Sequence, residues 1–151
     1  MDPGSPRRAF GELTNWEQQL RFAEALPWRT SPIELHDLLV ALLVDERLGE
    51  LATSIIVRHM SWPLQYPELA ARFERLAAKE GETAGTLVTT LVGRPTEGSR
   101  AGTDRIVVLS LHDMDLETWT SARDNGVYQA LALQLAEDAS FATELQEALD
   151  Q

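Results

Sequence analysis

The chain of 151 residues contains no cysteine. Disulfide bonds, thiolate-bound metal centres and cysteine nucleophiles are therefore excluded. Lysine is almost absent as well, because 12 of the 13 basic residues are arginine and Lys79 is the single exception. We interpret this preference for arginine as typical of a GC-rich and hence bacterial genome.

Long hydrophobic runs are also lacking. The longest is LLVALLV, residues 38–44, whereas a transmembrane helix needs about 20 predominantly apolar residues. The first ten residues, MDPGSPRRAF, contain two arginines with no apolar segment behind them, so we expect no secretory signal peptide. These features predict a cytoplasmic protein that does not associate with membranes.

Acidic residues dominate the charge, and the formal net charge at pH 7 is −11. Residues 93–151 contain 11 acidic and 4 basic residues, while residues 1–92 contain 13 and 9. A negative field repels phosphate groups, which disfavours direct binding to nucleic acid or to an anionic membrane. The charge favours another protein, with a basic surface, as the partner.

Helix signals are strong in the first half of the chain. Thr14 with Glu17, and Ser31 with Glu34, form two capping boxes, which are typical of helix N-termini. Leucines at positions 35, 38, 39, 42 and 43 then form a broad apolar face, which predicts a helix central to the core. A third helix is predicted over residues 48–59.

Two more segments are predicted to be helical. One begins at Pro67 and ends before Gly81, which are a typical start and stop for a helix. The other is TLVTTLV, residues 86–92. Its β-branched residues favour a strand, but its leucines and valines also recur with the period of a helix, and we predict a helix.

The second half of the chain contains the one convincing strand signal, RIVVLSL at residues 105–111. Such a strand needs a partner, either residues 86–92 or the same strand of a second copy in a possible homodimer. The turn Asn125–Gly126 and two leucine-rich stripes after it predict an acidic helical hairpin.

The predicted fold is mainly α: a bundle of five or six helices with at most one small β element. Residues 1–12 are predicted to be a flexible tail, residues 13–92 a helical core, and residues 93–104 a linker rich in glycine. Residues 105–151 are predicted to be the strand and the acidic hairpin, packed on the core as one domain.

Three histidines suggest a possible metal site. A metal-dependent phosphohydrolase of the HD type needs a histidine, a His-Asp pair and a distant aspartate, and His59, His112, Asp113 and Asp138 occur in that order. The other His-Asp pair, at His36, has no preceding histidine. A structural explanation is stronger, because an aspartate after a strand is well placed to cap the next helix, and we predict no metal or cofactor.

Two groups of residues are candidates for partner binding. Trp62 and Tyr66 lie beside two prolines in SWPLQYP, where aromatic side chains are held on a stiff backbone. The second group is acidic and lies in the most negative part of the chain. It consists of Asp113, Asp115, Glu117, Glu137 and Asp138.

The favoured function is a non-enzymatic protein–protein interaction module, an adaptor or assembly domain of a bacterial signalling or defence system. One alternative is an acidic antitoxin or immunity protein that inhibits a basic toxin or nuclease. The other is a small metal-dependent hydrolase. A serine-hydrolase elbow of the form GxSxG is absent from the sequence.

Overall fold

The computed structural model describes residues 15–26, 30–45, 47–60 and 67–150. Within these ranges an antiparallel sheet of three strands lies between two helical layers. The elements in chain order are α1 (Trp16–Ala25), α2 (Pro32–Leu39), a π-helical turn (Val40–Val44), α3 (Glu50–Met60), α4 (Pro67–Ala70), β1 (Phe73–Thr83), β2 (Thr86–Pro95), β3 (Arg105–Leu111), α5 (Leu116–Asp124), α6 (Val127–Glu137) and α7 (Ala139–Leu149).

The strands are arranged in the order β1-β2-β3, so β2 is central and each neighbour in sequence is a neighbour in the sheet. A two-residue turn, Ala84 and Gly85, joins β1 to β2. Gly85 has a φ of +72°, a left-handed conformation that glycine adopts without strain. β2 and β3 are joined by the longer segment at residues 96–104.

Each face of the sheet is covered by helices from a different half of the chain. On one face, Ala77 and Val92 pack with Leu39, Leu43 and Met60 from α2, the π-helical turn and α3. Those helices precede the sheet in sequence.

The opposite face is covered mainly by α6, which follows the sheet in sequence. Phe73 and Leu91 pack there with Leu133 and Ala136. The central strand β2 is therefore buried on both sides, and the core consists of two apolar layers separated by the sheet.

Tryptophans hold the end of the sheet near the turn between β1 and β2. The rings of Trp16 in α1 and Trp119 in α5 lie 5.2 Å apart, and the Trp119 Nε1 group donates a hydrogen bond to the Thr86 carbonyl oxygen at 3.3 Å. The Arg123 guanidinium lies 4.5 Å above the Trp119 ring, in a cation–π contact.

The prediction of a mainly α, all-helical bundle with at most one small β element is wrong, because the chain forms a mixed α/β structure with a three-stranded sheet. Residues 73–83 form β1, where we predicted the helix that starts at Pro67, and α4 ends after a single turn. Residues 86–92 belong to β2 and are not helical.

The physical reason for the error over residues 86–92 is burial on two faces. Apolar residues alternate with polar ones in a strand that has one buried face, but a strand buried on both faces has no such alternation. Consecutive apolar residues in β2, such as Leu91 and Val92, point to opposite helical layers. The resulting run of apolar residues also fits the period of a helix.

Several local predictions agree with the structure. Ser31 and Glu34 form the predicted capping box at the start of α2, and the predicted strand at residues 105–111 is present as β3. Thr14 and the tail at residues 1–12 lie outside the described residues, and α1 is capped by Asn15, whose side chain accepts from the Gln18 amide at 2.9 Å.

The segment between β2 and β3 is fixed against the helices that follow the sheet. The Arg100 guanidinium donates to the Leu135 carbonyl oxygen at 2.6 Å, and the Ser99 hydroxyl accepts from the Ala139 amide at 2.8 Å. No helix in the described part of the chain is long and apolar enough to cross a membrane.

Candidate partner-binding surface

Large hydrophobic side chains are exposed mainly in the helical layer that precedes the sheet. In the described part of the chain nine such side chains are exposed, and six of them lie between residues 33 and 55. Such a concentration is typical of an interaction surface, because exposed apolar patches are small on most monomeric proteins. We name these six residues the outer apolar face: Ile33, Leu38, Val44, Leu48, Leu51 and Ile55.

The clearest part of this face is a stripe on α3. Leu51 and Ile55 are four residues apart, so their side chains are neighbours along one side of the helix, and the exposed Leu48 lies just before the helix begins. Leu51 is 76% exposed. The opposite side of α3 contains the buried residues Thr53 and Met60.

The π-helical turn connects this stripe to α2. The Asp45 amide donates to the Val40 carbonyl oxygen at 2.9 Å, a bond that spans five residues. π-helical turns are rare and occur frequently at functional sites. The Thr53 hydroxyl donates to the Leu42 carbonyl oxygen at 3.0 Å and so fixes α3 against the turn. Val44, at the end of the turn, remains exposed.

The charged residues around the outer apolar face are mainly acidic. Among the described residues between 30 and 60 there are four carboxylates and two arginines. Asp37 and Glu50 are exposed, and Arg47 lies 3.5 Å from Asp45. A partner that places basic side chains around an apolar centre would match this distribution.

The predicted acidic surface is divided among several structural roles. Asp115 is the N-cap of α5, and its carboxylate accepts from the Thr118 amide at 2.8 Å. This hydrogen bond lowers the pKa of Asp115 below its ordinary value. Glu117 is exposed in the first turn of α5, and Asp113 is exposed with a left-handed φ of +57°.

The two remaining acidic residues lie at the junction of α6 and α7. Glu137 is buried, with 7% of its surface exposed, and its carboxylate lies 2.9 Å from Nη2 of Arg72. Asp138 caps α7 by accepting from the Ser140 amide at 2.9 Å, which lowers its pKa. Of the five predicted acidic residues, only Asp113 and Glu117 are exposed without acting as a helix cap.

The histidines are dispersed over different elements. His36 lies in α2, His59 in α3 and His112 directly after β3. No group of three His, Cys, Asp or Glu residues that could hold a metal ion occurs within the described ranges. His112 Nε2 lies 2.7 Å from the Ser110 hydroxyl. Ser110 belongs to β3, an outer strand of the sheet, and His112 follows that strand. Trp62 and Tyr66 lie outside the described residues.

A polar cluster that the sequence did not suggest lies between β1 and α6. The Tyr128 hydroxyl donates to the Glu80 carboxylate at 3.0 Å, and Gln129, at 2% exposure, is a neighbour of both. Burial raises the pKa of Glu80 above its ordinary value. Burial, followed by the charge of Glu80, raises the pKa of Tyr128 to about 12. Tyr128 is 5% exposed, and Glu80 is partly exposed at the edge of the sheet.

No protein-family model, no curated protein and no solved structure matches this chain.

Proposed function

We propose that this chain is a non-enzymatic protein–protein interaction module, an adaptor or assembly domain, which binds its partner through the outer apolar face. The observation that carries the proposal is the concentration of exposed large hydrophobic side chains in the helical layer before the sheet. Burying such side chains on association is favourable by roughly 25 cal/mol for each Å² of apolar surface. As part of the same proposal, the module acts in the bacterial cytoplasm.

The partner in this proposal is another protein with an apolar contact area surrounded by basic side chains. The net charge of −11 supports this choice, since complementary charge accelerates association and discriminates against other acidic proteins. The carboxylates beside the outer apolar face, such as Asp37 and Glu50, are exposed and available to the partner's basic residues.

The test uses a pair of variants with matched surface chemistry. The double variant Leu51→Ser/Ile55→Ser removes the centre of the outer apolar face, and Leu149→Ser removes a similarly exposed leucine from α7, at 73% exposure. Exposed positions such as these change the unfolding free energy by only about 0.5 kcal/mol. Circular dichroism should therefore show the same fold in all three proteins.

Each protein is used to capture binding proteins from a bacterial lysate, and a candidate is then purified and titrated by calorimetry. We expect a direct partner that binds the wild type and Leu149→Ser equally, and the double variant with a Kd weakened by about tenfold or more. Binding should also weaken as salt screens the charges. Equal affinity for the double variant and the wild type would refute the proposal.

The same experiment separates the inhibitor hypothesis from the adaptor hypothesis. The purified partner could be a toxin or nuclease that binds the double variant as tightly as it binds the wild type. If its affinity for the variant Asp113→Asn/Glu117→Gln is lower, the acidic residues are the binding site. Both side chains are exposed, so their replacement should leave the fold intact.

A further inference from the structure

The turn between β1 and β2 determines which backbone groups point away from the sheet. Thr83 and Thr86 face each other across only two residues, so they must exchange N–H···O bonds directly. Hydrogen-bonded and non-hydrogen-bonded pairs alternate along antiparallel strands. The even-numbered residues of β2, starting with Thr86, therefore bond to β1, and the odd-numbered residues bond to β3. As a result Ile106, Val108 and Ser110 direct their backbone N–H and C=O groups toward the open side of β3.

The other edge of the sheet, β1, has several features that block further pairing. Its register is interrupted between Phe73 and Arg75, and five of its eleven residues are charged. The Lys79 ammonium group donates to the Glu80 carbonyl oxygen at 2.6 Å, and the alternation described above directs this carbonyl away from β2. Bulges and charged side chains are the usual protection of an edge strand.

β3 lacks all of these features. Its sequence RIVVLSL contains one charged residue and neither proline nor glycine, and its pairing with β2 has no shift in register. All seven residues are partly exposed. Among the described residues, the only backbone hydrogen bonds of β3 are those of its ladder with β2. A regular apolar edge of this kind is a template for another strand.

The strand is complementary to a second copy of itself. When two β3 strands pair antiparallel about Val108, Ile106 lies opposite Ser110 of the second copy. The three outward-facing residues then form three hydrogen-bonded pairs, each of which exchanges two N–H···O bonds. Residues that lie opposite each other in this register are both even-numbered or both odd-numbered, so their side chains lie on the same face of the sheet. Each face therefore continues into the equivalent face of the second copy.

The ends of β3 coincide in the same register. Arg105, the first residue of β3, lies opposite Leu111, the last residue of β3 in the second copy, so all seven residues of the strand are paired.

We propose that β3 is a self-association edge, through which two copies of this chain pair antiparallel and form one continuous six-stranded sheet. This inference is independent of the proposed function, because it is argued from the sheet edge and not from the outer apolar face. Each copy has a net charge of −11, so salt should strengthen the dimer by screening the repulsion. A basic partner should show the opposite salt dependence.

The first test uses two substitutions at one position. Ser110→Pro removes an N–H group that faces away from β2 and leaves the ladder with β2 intact, as proline can do on an edge strand. Ser110→Ala keeps the N–H group and removes only the hydroxyl that contacts His112. Light scattering after size exclusion should give twice the mass of one chain for the wild type and Ser110→Ala, and the mass of one chain for Ser110→Pro.

Hydrogen exchange should give the same answer for individual amides. In concentrated wild-type protein the amides of Ile106, Val108 and Ser110 should become protected, and dilution should reverse the protection. The intervening amides, which bond to β2, should stay protected at all concentrations. A wild type that keeps the mass of one chain throughout a micromolar to millimolar series, or a Ser110→Pro variant that remains dimeric, would overturn the proposal.

Discussion

Single carboxylates in this protein differ widely in what they do, although they look alike in sequence. The N-cap role of Asp115 could be predicted, because an aspartate between a strand and a helix commonly caps the helix. The ion pair between Glu137 and Arg72 could not be predicted, since 65 positions separate the two residues and neither belongs to a motif. Pairs distant in sequence depend on the tertiary fold.

The contact between Tyr128 and Glu80 predicts how stability depends on pH. The pKa of Tyr128 is raised to about 12 in the folded chain, whereas an unfolded tyrosine titrates near 10. The stabilisation that comes from neutral Tyr128 is therefore complete below pH 10. It is lost as the pH rises toward 12, because the unfolded chain releases the proton first.

Tyr128→Phe tests this contact. At pH 7 the variant should be less stable by about 1–3 kcal/mol, because the partly buried Glu80 carboxylate loses the hydrogen bond from the Tyr128 hydroxyl. The difference in unfolding free energy from the wild type should shrink between pH 10 and 11.5, as measured by urea denaturation. A difference that stays constant over this range would show that Tyr128 does not titrate with a raised pKa.

At the scale of secondary structure, the helices were easier to predict than the sheet. The box formed by Ser31 and Glu34 is a local signal and correctly indicates the start of α2. In β1, Ala77 and Ala78 are residues that favour helices, yet both are buried on opposite sides of the strand. Pairing with β2 overrides the local preference of this segment.

Close packing between β1 and β2 predicts the effect of adding a methyl group at Gly93. A Cβ atom at this position would lie 2.9 Å from Cδ1 of Phe73, which is closer than two carbon atoms can pack. Gly93→Ala should reduce the unfolding free energy by about 1–3 kcal/mol, because the Phe73 ring must move. Urea denaturation measures the change.

Gly81 in β1 is the matched control for this substitution. A Cβ atom there has no neighbour within 4 Å, so Gly81→Ala should be neutral or slightly stabilising, since it restricts the unfolded chain. If the two substitutions reduced the unfolding free energy equally, the effect at Gly93 would have a cause other than the contact with Phe73.

At the scale of the whole molecule, the sheet joins the two halves of the chain into a single cooperative unit. Leu43 packs on one face and Leu133 on the other, with exposures of 4% and 1%. Both faces share the strand β2. Loss of packing in either layer should therefore destabilise the entire structure.

Leu43→Ala and Leu133→Ala test this cooperativity. Each should reduce the unfolding free energy by about 2–5 kcal/mol, and fluorescence and circular dichroism should still report one coincident transition. Leu149→Ala, at an exposed position of α7, should change the unfolding free energy by only about 0.5 kcal/mol. Two separate transitions in either core variant would mean that the helical layers unfold independently.

The position of the β1–β2 hairpin in the middle of the chain has a consequence for synthesis. Leu39 and Leu43, which precede the hairpin, are buried in a cluster that includes Ala77 and Val92 of the hairpin, and a ribosome produces the helices first. Leu39 and Leu43 therefore lack their contacts with the sheet until residue 95 at the end of β2 has left the exit tunnel. During that interval a chaperone that recognises leucine-rich segments would compete with the hairpin for the same side chains.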